Sequence, residues 1–393
     1  MQKDLFKKYL EETFGVKAAG KVLEALECPP SVSVRLNPSK WNVGDGTNTE
    51  IADAGINGKV PWSEWGYFLK ERPVFTLDPL IHAGAYYVQD SSSMFVGFVF
   101  RQVLGQMLGE EPVAERRSLR VLDLCAAPGG KTTDLAASLR EMVGDRFILV
   151  SNEVMKNRAG ILADNVALWG DPNVVVTSAD PAAFSRLEGF FDIIVTDVPC
   201  SGEGMFRKDE GAVEQWSEDN VELCVARQRR ILADIWPALA PGGFLIYSTC
   251  TFNKYENDGN VGWAASELGA AVRVADCPYE GPMRTEFGYS LAPGFVPGEG
   301  QYCAVLKKDD GGLRWASAME NTEMSFRQGC SGKRSREKGR PDSRGAAALP
   351  VKELAGVFSA EVSFRERNGL IIAVPQQIES EIAAIESCLK PLL

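Results

Sequence analysis

From Leu119 onward, short β-branched apolar runs alternate with amphipathic segments, and this alternation constrains the fold more than any other feature. The runs are Leu119-Arg-Val-Leu-Asp-Leu124, Phe147-Ile-Leu-Val-Ser151, Val174-Val-Val-Thr177, Phe191-Asp-Ile-Ile-Val-Thr196 and Phe244-Leu-Ile-Tyr-Ser-Thr249. Between them lie segments with helical spacing, such as Arg158 to Trp169 and Val221 to Leu239. Near-continuous apolar strands are buried on both faces, and helical crossovers between them require a doubly wound parallel sheet. The fold class is therefore α/β, Rossmann-like. Ligands of such sheets bind beyond the carboxyl ends of the strands, so chemistry is expected in the residues that follow each run.

The flanking regions read differently. Residues 1–115 carry apolar-periodic helices around Leu5 to Phe14 and Ala18 to Leu26, then a strand from Val32 to Leu36, which predicts a small α+β domain. The low-charge stretch Phe75 to Met94 reads as a connector packed on the next domain, and residues 116–308 form that Rossmann-like domain. Residues 309–348 are rich in Gly, Ser and Arg and predict a flexible basic linker. Residues 349–393 hold two strand-like runs, Glu361 to Phe364 and Leu370 to Val374, and a helical Ile378 to Leu389, a small C-terminal segment.

Composition removes several function classes. No window approaches the roughly 18 uncharged apolar residues of a membrane helix, and the first ten residues lack the pattern of a secretory leader, so a soluble cytoplasmic protein is expected. The nine cysteines are scattered without a Cys-x-x-Cys pair, which supports neither a disulfide framework nor a zinc site, and no metal is expected. The single histidine, His82, leaves proton transfer to carboxylates, thiols or lysines. A net charge of −11 opposes wholesale coating of nucleic acid but allows a local basic groove. Nothing in the sequence demands more than a monomer.

Four strand ends carry candidate chemistry. The first is Val121-Leu-Asp-Leu-Cys125-Ala126-Ala127-Pro128-Gly129-Gly130-Lys131-Thr-Thr133, a turn of small residues opening a helix, where backbone can approach a ligand closely. A phosphate-binding Walker loop would need glycine where Cys125 stands, so a nucleotide triphosphatase is disfavoured. The second run ends in Glu153, placed to accept hydrogen bonds from ribose hydroxyls, although alone it would be an ordinary loop charge. Asp180, past the third run, could contact an adenine or equally cap a helix ahead of Pro181. Glu153 and the small-residue turn together favour an adenosine-containing cofactor. The fourth and fifth runs lead into Asp197-Val-Pro-Cys200-Ser-Gly-Glu-Gly-Met-Phe-Arg-Lys-Asp209 and Cys250-Thr-Phe-Asn253, which brings two thiols to one rim. A lone cysteine is usually a small core residue, but two at strand ends in polar loops point to nucleophilic chemistry. Lys131 and the adjacent helix starts could supply the positive field that favours a thiolate. Cys28, Cys224, Cys277, Cys303, Cys330 and Cys388 lack such a context.

These motifs, together with Arg35-Leu-Asn-Pro38 and Tyr87-Val-Gln-Asp-Ser-Ser-Ser-Met94, resemble those of the Sun-type RNA cytosine-C5 methyltransferases, in particular the bacterial RsmF branch that acts on 16S ribosomal RNA. The likeness spans about Val32 to Lys307. It implies an S-adenosylmethionine-dependent methyltransferase domain, an N-terminal RNA-binding domain and RNA as substrate, ribosomal or, as in other relatives, transfer RNA. It also implies site roles. Cys125 to Lys131 would line the methionine end of the cofactor, Glu153 would hold the ribose, Asp180 would lie by the adenine, and Asp197 would adjoin both cofactor and cytosine ring. Cys250 matches the nucleophile and Cys200 the thiol that helps release the product.

The sequence also departs from the family. Pro293-Gly-Phe-Val-Pro-Gly-Glu-Gly-Gln-Tyr-Cys303 lacks the histidine and paired phenylalanines common there, and the tail ends soon after a PUA-like RNA-binding module would begin. A DNA methyltransferase would use the Pro-Cys cysteine as its nucleophile and is the weaker reading. A non-catalytic RNA-binding assembly factor that retains the fold is a reading of another class. Arg207, Lys208, Arg227 and Arg229 are candidate phosphate contacts, although a solvated face is the ordinary reading of any one of them.

Overall fold

A computed structural model of the chain describes residues 3–41, 55–109, 117–309, 361–367, 370–389 and 391–392. The basic stretch expected over 309–348 lies, beyond its first residue, outside the described residues, as does Cys330.

The chain starts with helices α1 (Lys3–Phe14) and α2 (Val16–Leu26) and strands β1 (Val32–Leu36), β2 (Ile56–Lys59) and β3 (Gly66–Leu69). A short helix α3 (Pro79–His82), strand β4 (Tyr86–Val88) and helix α4 (Ser91–Leu108) follow. The four strands make one antiparallel sheet in the order β2-β3-β1-β4. The stretch read as a connector is thus two things. Tyr86 to Val88 completes the first sheet, while α4, capped by Asp90 accepting from Ser92 and Ser93 N–H, lays Phe95, Val96, Val99, Phe100 and Val103 on the next domain. Aromatic residues in the low-charge run suit either environment, and only the pairing of Val88 with Val34 decides between them.

The second sheet contains β5 (Leu119–Asp123), β6 (Phe147–Asn152), β7 (Val174–Thr177), β8 (Phe191–Asp197) and β9 (Leu239–Thr249), parallel in the order β7-β6-β5-β8-β9. Helices α5 (Gly130–Val143) and α6 (Lys156–Trp169), the 3-10 helix Pro181–Leu187, and α7 (Glu210–Gln215) and α8 (Glu218–Ile235) connect them. After β9 come α9 (Asp258–Glu267), β10 (Ala271–Arg273), β11 (Met283–Arg284), β12 (Gly288–Leu291) and β13 (Gln301–Lys307), which extend the sheet antiparallel beside β9. Alternate strand residues serve opposite cores. Leu122, Val150, Ile194 and Leu245 face one, and Val121, Leu149, Val195 and Ile246 face the other. The order reverses between β5 and β8, and the crevice at their carboxyl ends is the predicted ligand position.

The tail is not a separate body. β14 (Val362–Arg367) and β15 (Leu370–Pro375) form a hairpin, and α10 (Glu379–Cys388) buries Ile382 and Ile385 in the same core as Leu232 and Ile235 of α8. Leu392 N–H donates to Val176 O at 2.7 Å, which fixes the tail beside β7. No described helix is long and apolar enough to cross a membrane.

Candidate active site

The turn after β5 is built from small residues because the chain reverses there against α6. Gly129 has φ +113°, where a side chain would be strained, and Gly130 begins α5 beside the Tyr87 ring. Arg35 of β1 supports this turn from behind. Its buried guanidinium donates to Gly130 O at 3.1 Å and Thr133 Oγ1 at 2.5 Å, and stacks over Trp169 at 4.7 Å. The first domain is therefore bolted directly to the turn, through a residue whose role no local pattern reveals.

A cleft of about 540 Å³ opens over the strand ends. Its walls include Cys125, Ala127, Glu153, Asp180, Asp197, Cys200 and Cys250. Ala126, Pro128, Gly129, Gly130 and Lys131 form the turn behind it rather than its wall. His82 lies elsewhere, exposed, its ring Nε2 2.9 Å from Thr76 O. Glu153 is buried, accepts from Met155 N–H at 3.0 Å and pairs with Arg158 at 3.2 Å. Asp180 accepts from Ala182 N–H at 3.0 Å as the cap ahead of Pro181, and it lines the cleft as well, so the two readings of that residue are compatible.

Asp197, the last residue of β8, is gripped on both oxygens. Lys131 Nζ donates to Oδ2 at 2.8 Å, while Ser248 Oγ and Gln301 Nε2 donate to Oδ1 at 2.9 Å each. Burial alone would raise its pKa, but the Lys131 charge and these three hydrogen bonds outweigh it and hold the carboxyl below its ordinary value. Lys131 is raised in return: burial opposes its charge, and Asp197 more than compensates. Its charge acts chiefly on Asp197, with Cys250 a weaker neighbour. Gln301 occupies the segment noted for departing from the family, and the departure puts an amide donor on the carboxylate.

The two sulfurs are 3.3 Å apart. The hydrogen bond with Cys250, then burial, pushes the Cys200 thiol well up, and either sulfur can be the donor in the contact. Burial likewise raises Cys125. Two buried carboxylates lock the cysteine loops together reciprocally. Glu203, from the Cys200 loop, accepts from Phe252 N–H at 2.6 Å and Asn253 N–H at 3.0 Å. Glu256, following Cys250, accepts from Ser201 N–H at 3.0 Å. Gly204 packs so closely that a Cβ would lie 2.7 Å from Cys250 O, and its N–H donates to that oxygen at 2.8 Å. Burial, aided by Glu203, raises Glu256 to about 7. Asp123, at the end of β5, is raised to about 7 by burial, with Thr132 Oγ1 donating to one oxygen at 2.7 Å.

Of the basic candidates, Arg207 is tied to Glu299 at 2.9 Å and to Gly298 O at 2.6 Å, and Arg229 to Asn260 at 2.9 Å, whereas Arg227 lines the cleft. Arg35, Asp123, Glu203, Ser248 and Gln301 are the residues that sequence reasoning does not assign. Arg35, Asp123, Glu203 and Ser248 stand inside the quoted motifs, and Gln301 inside the departure, so their positions are the only signal.

The doubly wound sheet, with its glycine turn and its cleft at the strand ends, is that of the Rossmann-like, S-adenosylmethionine-dependent methyltransferases. The comparisons are more specific. Residues 111–307 match the model for the 16S rRNA methyltransferase RsmB/F family, and residues 3–91 match the N-terminal domain of the 16S rRNA methyltransferase RsmF. This chain belongs to the RsmB/F family. Relatives include the ribosomal RNA small subunit methyltransferase F of Shewanella loihica, 36% identical over 58% of this chain and 45% of its own length, and that of Escherichia coli, 32% identical over 73% and 59%. The chain thus spans about half the length of the curated relatives it matches. Among solved structures, a methyltransferase homolog from Pyrococcus horikoshii is 26% identical with TM-score 0.62, covering 77% of this chain and 94% of that one. NSun6 from the same organism, at 18% identity and TM-score 0.63 over 77% and 97%, shares the fold.

Proposed function

We propose that this chain methylates C5 of a cytosine in RNA, 16S ribosomal RNA foremost, with S-adenosylmethionine as methyl donor, acting in the cytoplasm as a monomer. The observation that carries the reading is the pair of sulfurs 3.3 Å apart beside an ionised, triply bonded Asp197 at the switch point of the sheet. The donor set suits the cofactor. Glu153, Asp180 and Asp197 offer acceptors for a diol and negative charge for a cationic ligand, while Leu124, Val154, Met155 and Ile231 give the same cleft apolar walls. The cofactor supplies an electrophilic methyl group.

Within this chain, Cys250 is the nucleophile. Its thiolate, accepting from the Cys200 thiol, adds to C6 of the ring, which turns an electron-poor C5 into an enamine carbon able to take the methyl. Asp197, whose ionised carboxylate can accept from the exocyclic amine, orients the ring over the nucleophile. Lys131, Ser248 and Gln301 keep that carboxylate fixed and ionised. The C5 proton is then lost to a water molecule, the C5–C6 double bond re-forms, and Cys250 leaves as a thiolate. Cys200, still at hydrogen-bond distance from the departing sulfur, assists that step. The target base must leave any helix to reach the cleft. On this reading residues 1–115 bind RNA, 116–308 carry the catalysis, 309–348 are the linker, and 349–393 are a small C-terminal segment whose helix α10 braces the sheet.

The test is transfer of labelled methyl to unmodified ribosomal and transfer RNA by the wild type, Cys250→Ala and Cys200→Ala. Labelled cytosine from the wild type, none from Cys250→Ala and a covalent RNA adduct with Cys200→Ala is the expected pattern. Binding of S-adenosylmethionine with no transfer to any RNA would favour the assembly-factor reading instead.

A further inference from the structure

We propose that the groove between the first sheet and the loop following Cys200 holds the single-stranded RNA segment adjoining the target base. This rests on the RNA-methylation reading above and adds the path of the strand. The groove encloses about 890 Å³ and runs from the end of β3 to Arg207 and Lys208. Its cations are Lys70, Arg72, Arg207 and Lys208, set against Glu71 in its wall and Glu299 behind it, a local surplus of positive charge on a chain carrying −11. Such a surplus is what a phosphate backbone selects.

The four cations are not equivalent. Arg207 is held by Glu299 and Gly298 O and is nearly buried, so it serves as framework. Lys208, at 3.7 Å from the same carboxylate, remains partly exposed. Lys70 and Arg72 are exposed, Arg72 resting 5.4 Å over the Phe75 ring. Phe68 adds an aromatic face to the wall, on which an unpaired base can stack. The loop joins groove to cleft. Gly202 and Met205 line the cleft with the two thiols, and Arg207 and Lys208 line the groove two and three residues later. A base seated between Cys250 and Asp197 therefore sends its own strand out past Met205, which is 41% exposed, into the groove.

The test compares the wild type with Lys70→Gln/Arg72→Gln, neither residue belonging to the catalytic or cofactor machinery. A short labelled, cytosine-containing single-stranded RNA is titrated at several salt concentrations, and methyl-transfer kinetics are run on ribosomal RNA. With two cations removed from the phosphate path, the slope of log affinity against log salt becomes shallower by about 1.4, and KM for RNA rises about tenfold while kcat stays within about twofold. An unchanged slope and KM overturn the proposal, whether or not the wild type methylates RNA. Loss of affinity for polyglutamate with RNA affinity unchanged also overturns it and assigns the groove to an acidic protein segment. A wild type that binds RNA with the expected slope difference yet transfers no methyl sinks the enzymatic reading and leaves the groove standing.

Discussion

Replacing Glu203 by glutamine isolates the reciprocal lock between the cysteine loops. The wild-type carboxylate is fully buried and accepts four hydrogen bonds: Phe252 N–H at 2.6 Å and Asn253 N–H at 3.0 Å on Oε2, Asn253 Nδ2 at 2.9 Å and Trp216 Nε1 at 2.9 Å on Oε1. A glutamine has one acceptor oxygen and an amide that only donates. Whichever way it is turned, two of the four donors face another donor. Hydrogen bonds to a charged acceptor contribute about 1.5–3 kcal/mol each, so the loss is about 3–6 kcal/mol, a large part of a domain's margin. Glu256→Gln makes the internal comparison. Burial and Glu203 already disfavour charge there, and only the Asn253 amide bond to Oε1 stands alone, so its cost should be clearly smaller. Urea unfolding followed by tryptophan fluorescence gives the stabilities, and single-turnover methyl transfer gives the rate that depends on the 3.3 Å sulfur contact. Equal costs for the two variants, or a Glu203→Gln loss below about 1 kcal/mol with an unchanged rate, would refute the claim that these carboxylates set the thiol geometry.

Three further outcomes are expected. Lys131→Met removes the charge that holds Asp197 below its ordinary pKa against burial, so the acid limb of the kcat/KM profile should move to higher pH; an unmoved limb shows that another group titrates. Asp123 has its folded pKa raised from 3.8 to about 7, so the native state binds the extra proton and stability is fully present below about pH 4, falls as pH rises towards 7 and levels above it. Its contribution to the drop is on the order of 4 kcal/mol, and Asp123→Asn should remove that part of the slope in urea unfolding from pH 4 to 8, leaving the part from Glu256. Arg35→Lys loses the paired hydrogen bonds to Gly130 O and Thr133 and should weaken S-adenosylmethionine binding about tenfold by calorimetry, although residue 35 lies in the other domain.

What the sequence made legible and what it hid divide along one physical line. The five parallel strands start and end within a few residues of their expected places because apolar run length and glycine turns are local properties, and β9 alone begins earlier, at Leu239. The rim residues Cys125, Glu153, Asp197, Cys200 and Cys250 meet in one cleft because a doubly wound sheet gathers all its strand ends on one edge whatever the loops contain. The polar supports could not be read that way. Arg35 reaches Thr133 across 98 residues and Gln301 reaches Asp197 across 104, and no periodicity encodes such a pairing. The tail misleads for the same reason. Forty residues look too few for a core of their own, and α10 needs none, because Ile382 and Ile385 finish the core that α8 began. The ends of the chain are therefore part of the site's foundation. Arg35 fixes the glycine turn from behind and α10 packs on the sheet, so changes far from either cysteine in sequence should register first as altered cofactor affinity or stability, and only then as lost chemistry.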